Sequence, residues 1–439
     1  MVGGLAALWL AGCGGGNHDM SASSAGGQAG LRTVASRKPP HGSIPVTRSP
    51  PVTPALIHLR AALERAVRRA GPSWGASVYD LTAQFPLFAL RDGVQRPPAS
   101  VEKLYTTIAL LNELGPAARL HTAVLGSGHL GPGGVWHGNL YLRGGGDPTF
   151  GDGSFNRVWE LGYGPTAVQL AGQLRSRGIQ SVTGRLIGDE SLFDERRGGP
   201  ATGYAADVPD FGGQLSALTY DHGSTSRALS PGAFAARQLA RTLRAIGVRV
   251  SATAMTARTP RDARELAAVS SPPLSVLLKL MDVPSDDLFA ELLTKQLGVR
   301  FGAAGTIAAG ASVIHREIAD YGVHPTIVDG SGLSRDDRSS PSEIVRLLRS
   351  VWGTPDGDEL KASLPLVGET GTVATIAVRT PAQGHCLAKT GTLNYITNLA
   401  GYCHGRGGDW LAFALMIDGP SNWQAQALLG HMVAVIARY

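Results

Sequence analysis

The chain has 439 residues, enough for two or three domains around a substantial core, and its apolar (43%) and charged (17%) fractions are those of an ordinary folded protein. The net charge of +6 comes from scattered basic residues with no basic tract interleaved with aromatics, which argues against a nucleic-acid partner. Of the 40 basic residues only Lys38, Lys103, Lys279, Lys295, Lys361 and Lys389 are lysines; arginine cannot serve as a base, whereas a buried lysine can shed its proton.

The first residues, MVGGLAALWLAGCGGG, form an apolar run of signal-peptide length, too short to span a membrane. The run ends in Leu10-Ala11-Gly12-Cys13, which resembles a bacterial lipobox whose cysteine is lipidated and becomes the mature N-terminus. No Lys or Arg precedes Cys13, so two readings stand: a lipoprotein-type signal over 1–13 with its start codon placed late, or an accidental apolar run. The Gly/Ser/Pro-rich stretch 14–54 reads as a flexible tether.

From Ala55, ALIHLRAALERAVRRAG places Leu56, Leu59, Leu63, Val67 and Ala70 at helical spacing with Gly71 as the stop, which predicts an amphipathic helix. ASVYDL and QFPLFALRD read as two strands, and PPASVEKLYTTIALLNELG as a helix starting near Ala99. Residues 115–262 are glycine-rich, with short strand-like runs (GNLYLRGGGDPTF, GRLIGDESLF) and two helical segments, PTAVQLAGQLRSRG and GAFAARQLARTLRAIG. This predicts an inserted α/β domain. From about 265 long helices return, followed by the strands CLAKTGTLNYITNLAGYC and DWLAFALMID and a closing helix. One domain, 55–114 and 263–439, is thus split by the insertion.

Ser100 and Lys103 in ASVEK stand three apart, so both side chains leave one face of the predicted helix. A serine hydroxyl is a weak nucleophile until a base takes its proton, and a neutral lysine one turn away can do so. A first-turn position also brings helix N–H groups to an oxyanion. Lys389-Thr390-Gly391-Thr392 lies on a strand entering a turn; a cation followed by hydroxyls and a glycine suits a carboxylate such as a peptide C-terminus. Either element alone is weak, and the ordered pair is far more specific.

With PASVEKLYTT, NLYLRGGGDPTF, GRLIGDESLFD, LSALTYDHG, SDDLFAELL, VDGSGLSRDDR and AKTGTLNYITNLAGY in line, the chain from about Ala55 to Tyr439 resembles the low-molecular-mass (class C) penicillin-binding proteins. These are D-alanyl-D-alanine carboxypeptidases/endopeptidases with a large insertion in the catalytic domain. The resemblance implies an α/β (α+β) fold of the β-lactamase/transpeptidase-like type, an antiparallel sheet flanked by helices. It implies Ser100 as the acylated nucleophile, Lys103 as its base, Lys389, Thr390, Gly391 and Thr392 as the arm that holds the substrate carboxylate, and the backbone N–H groups of Ser100 and Thr392 as the oxyanion hole. Peptidoglycan stem peptides and β-lactams are the implied partners, and neither metal nor organic cofactor is implied. The nested subdomain common in the family is expected to be missing, since LSALTYDHG runs almost directly into SPGAFAARQLARTLRAIG.

The family's middle element, S-x-N or Y-x-N, has three candidates. Ser154-Phe155-Asn156 is the literal match but lies in the insertion, and Ser334-Arg335-Asp336 lies in a loop with a different family signature. Ser285-Asp286-Asp287 matches the family's local context best, and a proton relay toward the leaving amine is the role implied for Ser285. Read alone, Ser285 is an N-cap with two first-turn acids behind it. Here the chain departs from the pattern, because Asp287 stands where the family has asparagine. An ionised Asp accepts hydrogen bonds but donates none, and it favours the charged form of Lys103 over the neutral one. Two hypotheses follow: Asp287 is protonated and amide-like, or acylation is slow or needs alkaline pH. The competing function is a catalytically impaired peptidoglycan- or penicillin-binding protein.

The twelve histidines form no metal-binding motif, GGGDP reads as a tight turn, and no E-x-x-x-N element favours a β-lactamase. If the Lys389 strand folds back near Asn394-Tyr395, Cys386 falls opposite Cys403; an exported protein could close a disulfide there, and two free thiols are the other reading. Export to the periplasm or the outer face of the cytoplasmic membrane, with a lipid anchor at Cys13, is the expected location.

Overall fold

The computed structural model describes residues 52–68, 73–206, 208–226, 229–419 and 421–439; the expected signal segment with Cys13 and most of the tether lie outside the described residues. In chain order the strands are β1 (Trp74–Asp80), β2 (Phe85–Leu90), β3 (His121–Gly131), β4 (Val135–Arg143), β5 (Ser181–Asp189), β6 (Arg249–Thr256), β7 (Arg264–Ser270), β8 (Cys386–Leu393), β9 (Ile396–His404) and β10 (Trp410–Asp418). Among the described residues they form two sheets of five.

The first sheet has the order β2-β1-β10-β9-β8, every pair antiparallel. Strand alternation explains why it is covered on both sides. Leu411, Phe413, Leu415 and Ile417 point into one core with the Pro54–Arg68 and Asn422–Ile436 helices. Ala412, Ala414 and Met416 point into the other, with Ala400 and Tyr402 from β9. That second core also takes the apolar faces of Lys103–Leu114, Leu274–Asp282, Asp287–Phe301, Ile307–Ala319 and Pro341–Val351. In the first helix Leu56, Leu59, Leu63 and Val67 are all buried, as their spacing predicts; Ala70 lies outside the described residues.

The second sheet runs β6-β5-β4-β3-β7. β4, β5 and β6 are mutually parallel, and β3 is antiparallel to both β4 and β7. Parallel neighbours need crossover connections, supplied here by the Ala167–Ser176 and Pro231–Ala245 helices, whose leucines and alanines fill a third core. The expected boundary at 262 is too early. β7 pairs with β3 from His121↔Ser270 to Gly126↔Arg264, so 264–270 complete the inserted sheet and the long helices resume only at Leu274. The RELAAV run of β7 has helix-forming residues, and the exposed edge of β3 decides its conformation instead.

Candidate active site

Ser100 lies on a single 3₁₀ turn, Ala99–Glu102, that runs into the Lys103–Leu114 α-helix; the expected helix start at Ala99 is this tighter turn. Two neighbours hold the turn. The buried Asn398 of β9 donates through Nδ2 to the carbonyls of Pro97 (3.0 Å) and Pro98 (2.8 Å) and accepts from Ile417 N (3.1 Å). Opposite Asn398 in β8 is Gly391, where a Cβ would meet Pro98 O at 2.3 Å and Ser100 N at 3.2 Å. Only glycine lets β8 lie this close to the serine.

Lys103 is fully buried and meets three acceptors: Ser100 Oγ at 3.1 Å, Asp287 Oδ1 at 2.5 Å and the Ser331 carbonyl at 2.8 Å. Three acceptors match the three protons of an ammonium group, so the amine must give one up before it can take the serine's. Burial raises the Asp287 carboxyl above its ordinary value, and the charge and hydrogen bond of Lys103 oppose that shift.

The Ser331 carbonyl is aimed by a carboxyl behind it. Glu291 Oε1 accepts from Gly330 N (3.1 Å) and Ser331 N (2.8 Å). Burial, then the charge of Asp329, pushes Glu291 up to about 8. Glu102, whose two oxygens lack hydrogen-bond partners among the described residues, is raised well above the usual range by burial and then by Asp329. The loop of the DGSGLSR signature therefore contributes to the site through its backbone.

Residues 283–286 link two helices. The Ser285 φ of 67° is left-handed, costly for a residue with a Cβ. Among the described residues its hydroxyl makes no hydrogen bond, which leaves it free for a ligand. The helix cap is Asp286, not Ser285: Asp286 Oδ1 accepts from Phe289 N at 2.9 Å, and Asp287 is the first helical residue.

Lys389 is buried on β8, its carbonyl neighbour Thr390 O 3.2 Å from Nζ. Burial, then the charge of Lys103, brings its pKa down to about 7. Thr390 Oγ1 bonds Thr372 Oγ1 (2.7 Å), and Thr372 N bonds Val283 O (3.2 Å), so Thr372 ties the Lys389 strand to the segment carrying Ser285. Thr392 is exposed. A disulfide joins Cys386 and Cys403, directly paired in β8 and β9 with Cα atoms 4.1 Å apart.

The rival middle elements serve elsewhere. Ser154 and Asn156 belong to the Gly153–Trp159 helix of the inserted domain, where the Ser154 hydroxyl bonds the capping Asp152. Ser334 Oγ accepts from Asp336 N inside its own turn, and Arg335 reaches the Asn394 carbonyl (2.7 Å). Asn398, Glu291, Ser331 and Thr372 escape sequence reading because each joins the site from a distant segment. The pairing of Gly391 with Asn398 across a foreseeable hairpin was the one available signal. Among the described residues no group of three His, Cys, Asp or Glu side chains could hold a metal ion.

The family model described as D-Ala-D-Ala carboxypeptidase 3 (S13) matches residues 58–233 and 212–439. Carboxypeptidase DacB of Mycolicibacterium smegmatis is 30% identical over 87% of this chain and 84% of its own length. A D-alanyl-D-alanine carboxypeptidase of an Actinomadura species is 26% identical over 86% and 82%. Among solved structures, penicillin binding protein 4 (dacB) from Haemophilus influenzae superposes with a TM-score of 0.72 at 19% identity, covering 86% of this chain and 99% of that one, which shows the fold.

Proposed function

The chain belongs to the D-Ala-D-Ala carboxypeptidase 3 (S13) family, and from that premise we propose how its residues divide the work of a serine-type D-Ala-D-Ala carboxypeptidase. Neutral Lys103 takes the Ser100 proton, and Ser100 Oγ attacks the carbonyl carbon of the penultimate D-alanine. The amides of Ser100 and Thr392 receive the oxyanion, and Lys389, with Thr390 and Thr392, holds the terminal carboxylate. Ser285 passes the proton to the leaving amine, terminal D-alanine departs, and water hydrolyses the Ser100 ester. β-Lactams acylate Ser100 by the same attack. The observation that carries these roles is Lys103 Nζ held 3.1 Å from Ser100 Oγ beside the Lys389 strand.

Incubation with muropeptides ending in D-Ala-D-Ala tests this: free D-alanine is expected from the wild type and none from Ser100→Ala. The 2.5 Å contact of Lys103 with Asp287 favours a second reading, an impaired binding protein. Muropeptide retention without D-alanine release would support it. Endopeptidase action on cross-linked muropeptides is the further activity the same assay scores.

Export and lipid anchoring at Cys13 complete the proposal. The apolar run ending in Leu10-Ala11-Gly12-Cys13 supports it, as does the Cys386–Cys403 disulfide, which needs an oxidising compartment.

A further inference from the structure

We propose that His222 is a positioning residue that holds Ser285-Asp286-Asp287 in place against Lys103 from the side of the inserted domain. His222 Nε2 lies 2.7 Å from Asp286 Oδ2, while the other oxygen of Asp286 caps Phe289 N at 2.9 Å, so both carboxylate oxygens are fixed. The imidazole rests on the Phe289 ring at 5.9 Å with a 30° tilt. Asp286 stands between Ser285 and Asp287, whose carboxylate meets Lys103. A turn of its backbone moves the Asp287 carboxylate, 2.5 Å from Lys103 Nζ, and the Ser285 hydroxyl together.

The segment carrying His222 is itself anchored. Asp221 Oδ1 accepts from Asp152 N at 2.6 Å, and the Tyr220 ring meets Phe150 edge-on at 5.6 Å. Asp221 (φ 48°) and His222 (φ 58°) are both left-handed, like Ser285 (φ 67°), so two strained turns meet at one hydrogen bond. Such backbone persists only where its surroundings over-determine it, and the His222–Asp286 contact is the tie between them.

The tie can titrate. It borders a cavity of about 500 Å³ lined among others by Trp159, Glu160, Lys279 and Asp286. The charged groups around His222 are Asp286 at the start of the Asp287–Phe301 helix, Glu160 and Asp221 from the inserted domain, and Lys279 across the cavity. Burial disfavours the imidazolium, but Asp286 and then Glu160 outweigh it, and the net direction is upward from 6.5. A raised histidine value means the charged tie is intact below that value and weakens as pH rises through it.

The inference rests on the hydrolase reading, and its test separates the two. Ser100 acylation by a fluorescent penicillin is followed from acid to alkaline pH in the full chain and in His222→Ala and His222→Gln. His222→Ala is expected to acylate about 10- to 100-fold more slowly at neutral pH, the range for losing a hydrogen bond to a charged group. The loss is expected in the rate constant, not in penicillin affinity. His222→Gln, whose amide can still donate to Asp286, recovers most of that rate but lacks the wild type's alkaline step. Equal rates and profiles in all three proteins would overturn the inference and leave the hydrolase reading standing, as would a glutamine variant no faster than the alanine one. A wild type that takes no label sinks the hydrolase reading. The tie is then judged by NMR titration of His222: a value above 6.5 that falls in Asp286→Asn supports it, and one unmoved by that substitution refutes it.

Discussion

Asp287 is where this chain's chemistry turns on one atom. At 2.5 Å from Lys103 Nζ it accepts a proton that the family's asparagine would share only as a neutral acceptor. Asp287→Asn is therefore expected to speed Ser100 acylation at pH 7 by about tenfold, because it replaces the charged acceptor that holds Lys103 Nζ with a neutral one. Stopped-flow acylation against pH checks this, and superimposable profiles would mean Asp287 is neutral. Lys389 makes a prediction of the other sign. Burial brings its pKa down to about 7, below the ordinary lysine value, so the cation proposed to hold the substrate carboxylate is lost as pH rises through 7. KM for a D-Ala-D-Ala peptide should then climb above pH 7, by up to about tenfold per pH unit, because binding must take up a proton. A flat KM from pH 6 to 9 would contradict it. Ser100, Lys103 and Lys389 were legible in the sequence because short spacings on one element carry them and lysine is scarce. Asn398, Ser331 and Thr372 were not, because their roles exist only once β9, the 329–334 loop and the 371–373 turn meet.

At the level of elements, the site is a turn clamped between a strand and a helix. Asn398 spends its whole amide on that clamp, with two bonds to the serine turn and one to β10. Asn398→Ala should cost about 2 kcal/mol of stability through unpaired buried carbonyls, and should slow acylation more than it weakens penicillin binding. Chemical denaturation with labelling kinetics checks both, and an unchanged acylation rate would remove Asn398 from the site. The three strands β8 to β10 were readable because alternation splits them between two apolar cores. β3, β6 and β7 were not, since the inserted sheet is glycine-rich and half exposed, and pairing outweighs local preference there. The cap also misled: Ser285 and Asp286 both suit an N-cap, and only the left-handed turn at Ser285 gives the position to Asp286.

At the scale of the whole molecule, the hydrolase is split by an inserted domain that touches the segment carrying Ser285 and Asp287 at His222. Among the described residues no helix is long and apolar enough to cross a membrane. Cys13→Ser is expected to shift the protein from the membrane fraction to the soluble one, and an unchanged distribution would exclude the lipid anchor. On the proposed mechanism Ser100 forms and then loses an acyl bond. Its most direct measurement is mass spectrometry of the protein after a penicillin pulse, with peptide mapping and a timed chase. One adduct is expected, on the Ser100 peptide, absent from Ser100→Ala and lost slowly by hydrolysis. An unmodified wild type, or an adduct on any other residue, would contradict it.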